Sequence, residues 1–382
     1  MIAVRHGLSL ALSLVLVAAC RPALPGEASP SASSIAGDLI PSQPMSVVYH
    51  LPGAPSGLHA PFAFMTQAEG LASAQISVNI ATPPVGEDPF ASAEDPQNVD
   101  LYVASPAAAL ASREAGSDLV LIAGLQQRAD WRLVTPVGSA IASPADLAGQ
   151  NIFVHGLPGD AATALAALAA EGVALSSVTL TYATDLSSSF DPTPILDGTY
   201  AAALVSSVDG WPRLVQGADP VTGASVGTEG LREIPIAPIT ADAGLAIWAH
   251  ASSLTTDDAK IAAAASLIAL AEGLAFCRDT IDDCAALFLG VGTSDQDQET
   301  IVWSVNALNG LLWPNPDGVL SIDTEGIKRA VATATTAGVL AMPFDDSYID
   351  ASILALAESH WPDGLDRNGS GWTPLSVEIP LY

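Results

Sequence analysis

The chain has 382 residues, 12 Lys+Arg against 41 Asp+Glu, a formal net charge of −29, a charged fraction of 14% and a hydrophobic fraction of 49%. This balance excludes a nucleic-acid-binding protein, which needs a basic footprint to neutralise phosphates, and a polybasic patch docking on anionic lipid. The apolar content at this length suits two cores rather than one, with the acidity serving solubility.

At the N-terminus, Arg5 and His6 precede an uncharged run from Leu8 to Ala19 that ends in Val17-Ala18-Ala19-Cys20. A basic segment, an apolar segment and small residues make a secretory signal. Its apolar part falls well short of the ~20 residues of a spanning helix. Cysteine directly after the small residues resembles the lipobox of bacterial lipoproteins. That resemblance implies that Cys20 is lipidated, becomes the mature N-terminus, and tethers an exported body to the outer face of the cytoplasmic membrane. The alternative is an ordinary cleaved signal with Cys20 incidental. Residues 21–45 are rich in Pro, Ser, Ala and Gly and read as a flexible tether.

The body opens with a strand over Ser46–His50, a turn-rich loop over Pro52–Gly57 and a helix over Ala60–Glu69. Strands follow over Gln75–Ala81 and Val99–Ala104. Ser105-Pro106 starts a helix running through Glu114, and Leu119–Gly124 is another apolar strand. This β-α-β-α-β order predicts a parallel α/β sheet. Trp131–Thr135 reads as a strand leaving that unit. A second unit holds a short helix at Ser143–Leu147, a strand at Asn151–His155, a helix at Ala161–Glu171, a strand at Val178–Tyr182, a small helix at Pro194–Asp197 and a strand at Tyr200–Val205. Leu245–His250 reads as a strand returning to the first lobe. Helices then cover Asp257–Phe276, Asp283–Leu289, Asp295–Leu308, Thr324–Ala337 and Ser347–Glu358. The expected fold is therefore α/β, with lobe 1 over 46–136 and 245–382 and lobe 2 over 137–244. Crossings near Thr135–Ser139 and Thr240–Gly244 form a hinge beside an interlobe cleft.

With Cys20 set aside, Cys277 and Cys284 remain as a pair in an oxidising compartment. On one continuous helix their spacing separates the Cα atoms by about 10 Å, too far for a disulfide. Asp279 or Thr280 can end one helix and cap the next, which makes a disulfide across a corner feasible; two free buried thiols are the alternative. No His lies nearby, so a metal site is not expected.

Several segments together resemble the type II periplasmic substrate-binding proteins of ABC importers. They are Ser56-Gly57-Leu58-His59-Ala60-Pro61 with Ala68-Glu69-Gly70, Asp100–Ser105 with Arg113-Glu114-Ala115-Gly116, Gln126 followed by Trp131–Val134, Ile141–Gln150, Leu196–Ala202, Leu312-Trp313-Pro314 and Gly338-Val339-Leu340. Gln150 stands where that family's motif has Lys, and Ala201 where it has Asp. The resemblance covers roughly residues 46–358 and is nearest to the thiamine-pyrimidine-precursor and riboflavin-binding branch, with a weaker likeness to the nitrate, sulfonate and taurine binders. It implies a two-lobed type II fold, a small-molecule ligand in the cleft, and an ABC permease as partner.

In such folds the cleft is built from loops at strand C-termini and from helix N-termini. That rule selects Ser56, His59, Ser105, Gln126, Trp131, Gly159, Asp160, Ser206 and Trp211, with Tyr49 and Tyr102 as further aromatics near loop tips. Each has a plainer reading: Asp160 as a helix cap, His59 and Tyr102 as packed side chains, Trp131 and Trp211 as residues of an interlobe seam. Only Arg128, Arg132 and Arg213 stand near predicted cleft loops, which favours a planar heterocycle stacked on aromatic faces over an oxyanion. No catalytic constellation emerges: the six His are scattered, and no Gly-x-Ser-x-Gly elbow or Walker loop is present. The expectation is a monomeric, non-enzymatic, cofactor-free solute-binding lipoprotein. The alternatives are a nitrate, sulfonate or taurine binder, a structural lipoprotein, or a tethered enzyme.

Overall fold

Alternating burial sets the frame of the first sheet. In β1 (Met45–His50) the side chains of Met45, Val47 and Tyr49 are buried, while those between them are half-buried. The computed structural model describes residues 39–82, 88–91, 95–183, 190–235, 243–291 and 294–382, all within one unit spanning Ala32–Tyr382. Cys20 lies outside the described residues. After β1 come α1 (Ala60–Met65), α2 (Glu69–Ser73), β2 (Ile76–Ala81), β3 (Asn98–Ala104), α3 (Pro106–Glu114) and β4 (Leu119–Gly124). The expected Ala60–Glu69 helix is thus two short helices broken after Met65. The α3 start is as read: Ser105 caps it by accepting the Ala108 N–H, with proline in the first turn.

The second lobe comprises β5 (Trp131–Pro136), β6 (Asn151–Val154), α4 (Ala162–Ala170), β7 (Thr179–Tyr182), α5 (Thr193–Leu196), β8 (Ala202–Ser206), α6 (Gly210–Gln216) and β9 (Leu231–Ile234). Its sheet runs β7-β6-β8-β5-β9. β5 pairs antiparallel with β8 and β9, so Trp131–Pro136 belongs to lobe 2 and not to lobe 1. The first crossing therefore lies over 125–130, ahead of the expected Thr135–Ser139. The return crossing falls largely on residues outside the described set.

Then β10 (Ala246–His250) re-enters the first sheet, ordered β2-β1-β3-β10-β4. It arrives from the opposite lobe, so it inserts antiparallel between β3 and β4, and the sheet is mixed rather than wholly parallel. The helical remainder is α7 (Asp257–Asp279), α8 (Ile281–Gly290), α9 (Gln298–Leu312), α10 (Thr324–Thr336) and α11 (Ala351–Glu358). With 23 residues, α7 is long and apolar enough to cross a membrane, yet most of it is buried in lobe 1. Its Ala-rich surface lets α1, α11 and the sheet approach closely. Thr280 separates α7 from α8, and Cys277 and Cys284 are joined by a disulfide across that corner with Cα atoms 5.0 Å apart. The end of the expected tether is docked: Leu39 is fully buried in the lobe 1 core, and Ser42 hydrogen-bonds Asp258 through both its amide (2.7 Å) and hydroxyl (2.6 Å).

Candidate functional site

Both sheets end at the same partly open cavity of about 90 Å³ between the lobes. Lobe 1 contributes Ser56, the Ala104–Ala107 start of α3, and Leu58. Lobe 2 contributes Asp130 and Trp131 at the start of β5, His155 and Gly156 just after β6, Gly159 and Asp160 on a 3-10 turn, and Ser206, Val208 and Asp209 ahead of α6.

Two chain crossings form the back of the cavity. Gln126 N–H donates to Leu245 O at 2.9 Å, Gly244 N–H to Gln126 O at 3.2 Å, and Leu245 N–H to Gln126 Oε1 at 3.1 Å. This lacing requires glycine at 244: a Cβ there would lie 2.3 Å from Arg128 O and 2.6 Å from Gln126 Oε1. With Oε1 fixed, the Gln126 amide nitrogen is left buried without a hydrogen-bond partner.

The lobes touch in front. Ser105 Oγ donates to Asp160 Oδ1 at 2.5 Å, and Asp160 Oδ2 accepts the Leu157 N–H at 2.8 Å. A Cβ on Gly159 would lie 2.3 Å from Ala108 N, so lobe 2 seats against α3 only because this residue has no side chain. The site is acidic and partly dehydrated. Burial raises the carboxyls of Asp130 and Asp160 to about 6, against hydrogen bonds from Ser206 and Ser207 to the first and from Ser105 and Leu157 to the second. Burial lowers His155, so its imidazole is neutral at pH 7.

Seven of the eleven residues selected from sequence line this cavity: Ser56, Ser105, Gln126, Trp131, Gly159, Asp160 and Ser206. Tyr49, His59, Tyr102 and Trp211 do not. Tyr49 and Tyr102 sit inside strands, where side chains enter the helical layers: Tyr49 Oη meets Ser266 Oγ at 2.9 Å and Tyr102 Oη donates to Ala91 O at 2.9 Å. His59 is buried against Phe288, its Nδ1 accepting the Ser56 N–H at 3.2 Å. Trp211 packs in a lobe 2 core beneath the Arg132 guanidinium, 5.0 Å away. Asp130, His155 and Asp209 were missed. Their position at strand ends was a signal, but the sequence does not show which charged loop residue turns inward.

The fold is that of the periplasmic binding proteins, two α/β lobes around a cleft. Among solved structures, the alkanesulfonate-binding protein SsuA from Xanthomonas axonopodis pv. citri, bound to MOPS, matches with TM-score 0.58 and 16% identity over 81% of this chain and 99% of that one. The periplasmic aliphatic sulphonate-binding protein SsuA from Escherichia coli matches with TM-score 0.55 and 15% identity over 87% of this chain and 93% of that one. The desulfurization enzyme DSZB matches with TM-score 0.50 and 15% identity over 82% of this chain and 99% of that one. A family model described as NMT1/THI5 like matches residues 59–210. No curated protein matches in sequence.

Proposed function

We propose that this chain is an extracytoplasmic solute-binding protein of an ABC importer: it captures a small planar heterocycle between its lobes and presents it to the permease. The observation that carries this reading is the interlobe cavity, walled by Trp131, Leu58, Ala104 and Val208 and lined by buried polar side chains with unpartnered atoms. Apolar walls with a few convergent polar groups are what a small-molecule site needs. Two crossings leave the lobes free to rotate about Gln126 and Leu245, so a ligand touching both lobes favours the closed form by its differential affinity. The heterocycle belongs to the pyrimidine-precursor or riboflavin type, and the protein acts as a monomer anchored through lipid on Cys20. A catalytic role has less support, although an enzyme shares the fold.

The second reading, a sulfonate binder, draws on what the two SsuA proteins are said to bind. Native mass spectrometry of the protein as purified, followed by calorimetric titration with hydroxymethylpyrimidine, riboflavin and taurine, separates them. Tight taurine binding without heterocycle binding reverses the choice. Failure of any solute to compact the protein in X-ray scattering or to raise Tm removes the transport reading; a ligand at 100 times its Kd should add ~2.7 kcal/mol.

A further inference from the structure

Three unpartnered atoms describe the ligand that would complete the cleft. Gln126 Nε2, His155 Nε2 and Asp209 Oδ2 each lack a hydrogen-bond partner and belong to cavity-lining residues that are 3%, 6% and 6% exposed. Buried polar atoms left unpaired cost free energy that a ligand atom recovers.

Their chemistry is asymmetric. The Gln126 amide nitrogen is a donor, because its oxygen is already taken by the Leu245 N–H. Asp209 Oδ2 is an acceptor, because Oδ1 accepts from Arg213 Nε at 3.0 Å. The neutral His155 nitrogen serves as either, by tautomer. The charged side chains that line the cavity are acidic, with the Arg213 guanidinium paired to Asp209 behind the lining. Asp130, Asp160 and Asp209 line the cavity, and among the described residues no Lys or Arg does.

The three arginines nearest the cleft are committed to protein partners, and Arg213 pairs with the cavity-lining Asp209 through Nε as well as with Asp295. Arg128 donates to Gly310 O at 2.7 Å. Arg132 donates to Ser207 Oγ at 3.0 Å and to Glu233 at 2.8 Å. Arg213 forks onto Asp295 at 2.9 and 3.2 Å. The backbone N–H of Leu157, which leads into the 3-10 turn and α4 and could otherwise receive an anion, is occupied by Asp160 itself.

We propose that Gln126, His155 and Asp209 form one subsite for the polar edge of a compact organic cation, with a charged N–H on Asp209 Oδ2, an acceptor on the Gln126 amide and the flat body along Trp131, and that the cleft rejects sulfonates and other oxyanions. This rests on the solute-binding reading above and names its ligand class. It also sets the site apart from the alkanesulfonate site named for the neighbours.

The test uses three probes of matched shape on the full chain: benzamidine (cation), benzamide (neutral) and benzenesulfonate (anion), with Kd from calorimetric titration near pH 7.5. Benzamidine should bind at least about tenfold more tightly than benzamide, with no detectable benzenesulfonate binding. Asp209→Asn should weaken benzamidine about tenfold or more while leaving benzamide within about twofold. Gln126→Glu keeps the acceptor for the Leu245 N–H and leaves α6 untouched, so it serves if the Asp209 variant misfolds; it should tighten benzamidine. Benzenesulfonate binding as strong as that of benzamidine, or benzamidine binding indifferent to both substitutions, overturns the subsite and leaves a solute-binding cleft. Silence from all three probes overturns the subsite. The solute-binding reading falls as well only if the purified protein also carries no small molecule in native mass spectrometry.

Discussion

Ser105 and Asp160 join the two lobes: the hydroxyl that caps α3 donates to a buried carboxylate on the opposite side of the cavity, at 2.5 Å. One side chain therefore organises a helix start in lobe 1 and closes the cleft against lobe 2. Beside it, Gly159 lies flat on the Ala107–Ala108 backbone.

Gly159→Ala is expected to act as a wedge. The new methyl would sit 2.3 Å from Ala108 N and 2.5 Å from its Cα, both backbone atoms of the cap turn. Lobe separation relieves the clash without unfolding either core, so the radius of gyration should rise and ligand affinity fall about tenfold or more with little change in Tm. Scattering and affinity identical to the parent protein would show that the lobes do not rely on this contact.

Trp131 is half-buried at the cavity wall, with its ring edge against Gly156. Trp131→Ala should weaken a flat ligand by about 1 kcal/mol or more, about fivefold or more in Kd, through lost stacking. Trp211→Phe, in the lobe 2 core, should lower Tm and leave Kd unchanged. Calorimetric titration of both variants checks the pair; equal loss of affinity would put Trp211 back at the ligand.

The Cys277–Cys284 disulfide closes a short loop between α7 and α8 and is buried with Phe288 and Val305. Chain-entropy arguments give about 2 kcal/mol for so short a loop. Cys277→Ser/Cys284→Ser should lower Tm by a few degrees in differential scanning calorimetry while ligand affinity holds. A parent Tm unaffected by reductant under conditions where the bond is shown to be reduced would contradict this.

The pH dependence follows from carboxyls shifted in opposite directions. Asp130 and Asp160, raised to about 6 by burial, hold their protons more tightly folded than unfolded. Their ionisation therefore destabilises the fold, by up to about 3 kcal/mol each, as pH rises from about 4 through 6. Asp118 is the reverse: burial pushes it up, but hydrogen bonds from His250 and Ser252 outweigh that and hold it at about 2. Its stabilisation is present above about pH 4 and lost as pH falls toward 2. Tm should accordingly peak at about pH 4 and fall as the pH rises toward about 6. A Tm that rises steadily to about pH 8 would show that the two buried acids do not hold their protons more tightly in the fold than in the unfolded chain.

The sequence by itself determined the order of most strands and helices, α6 and β9 excepted, because period-two alternation in segments such as Ser46–His50 and capping signals such as Ser105-Pro106 act over a few residues. It also offered a break at Asp279 or Thr280 that would let the two cysteines meet, and it selected loop residues at strand ends, where cleft residues gather. Only the tertiary structure decided which of those residues face the ligand. Tyr49 and Tyr102 share the aromatic character of Trp131, yet a position within a strand sends the first two into the helical layers, while the start of β5 sends the last into the cleft. Likewise β5 joins lobe 2 through long-range pairing with β8 and β9, which no local pattern encodes. The sign of the cleft was hidden for the same reason. Asp130, Asp160 and Asp209 are far apart in the chain, and Arg128, Arg132 and Arg213 stand beside them in sequence. The fold turns the carboxylates inward, ties Arg128 and Arg132 to partners outside the cavity, and holds Arg213 between Asp295 and the outer oxygen of Asp209.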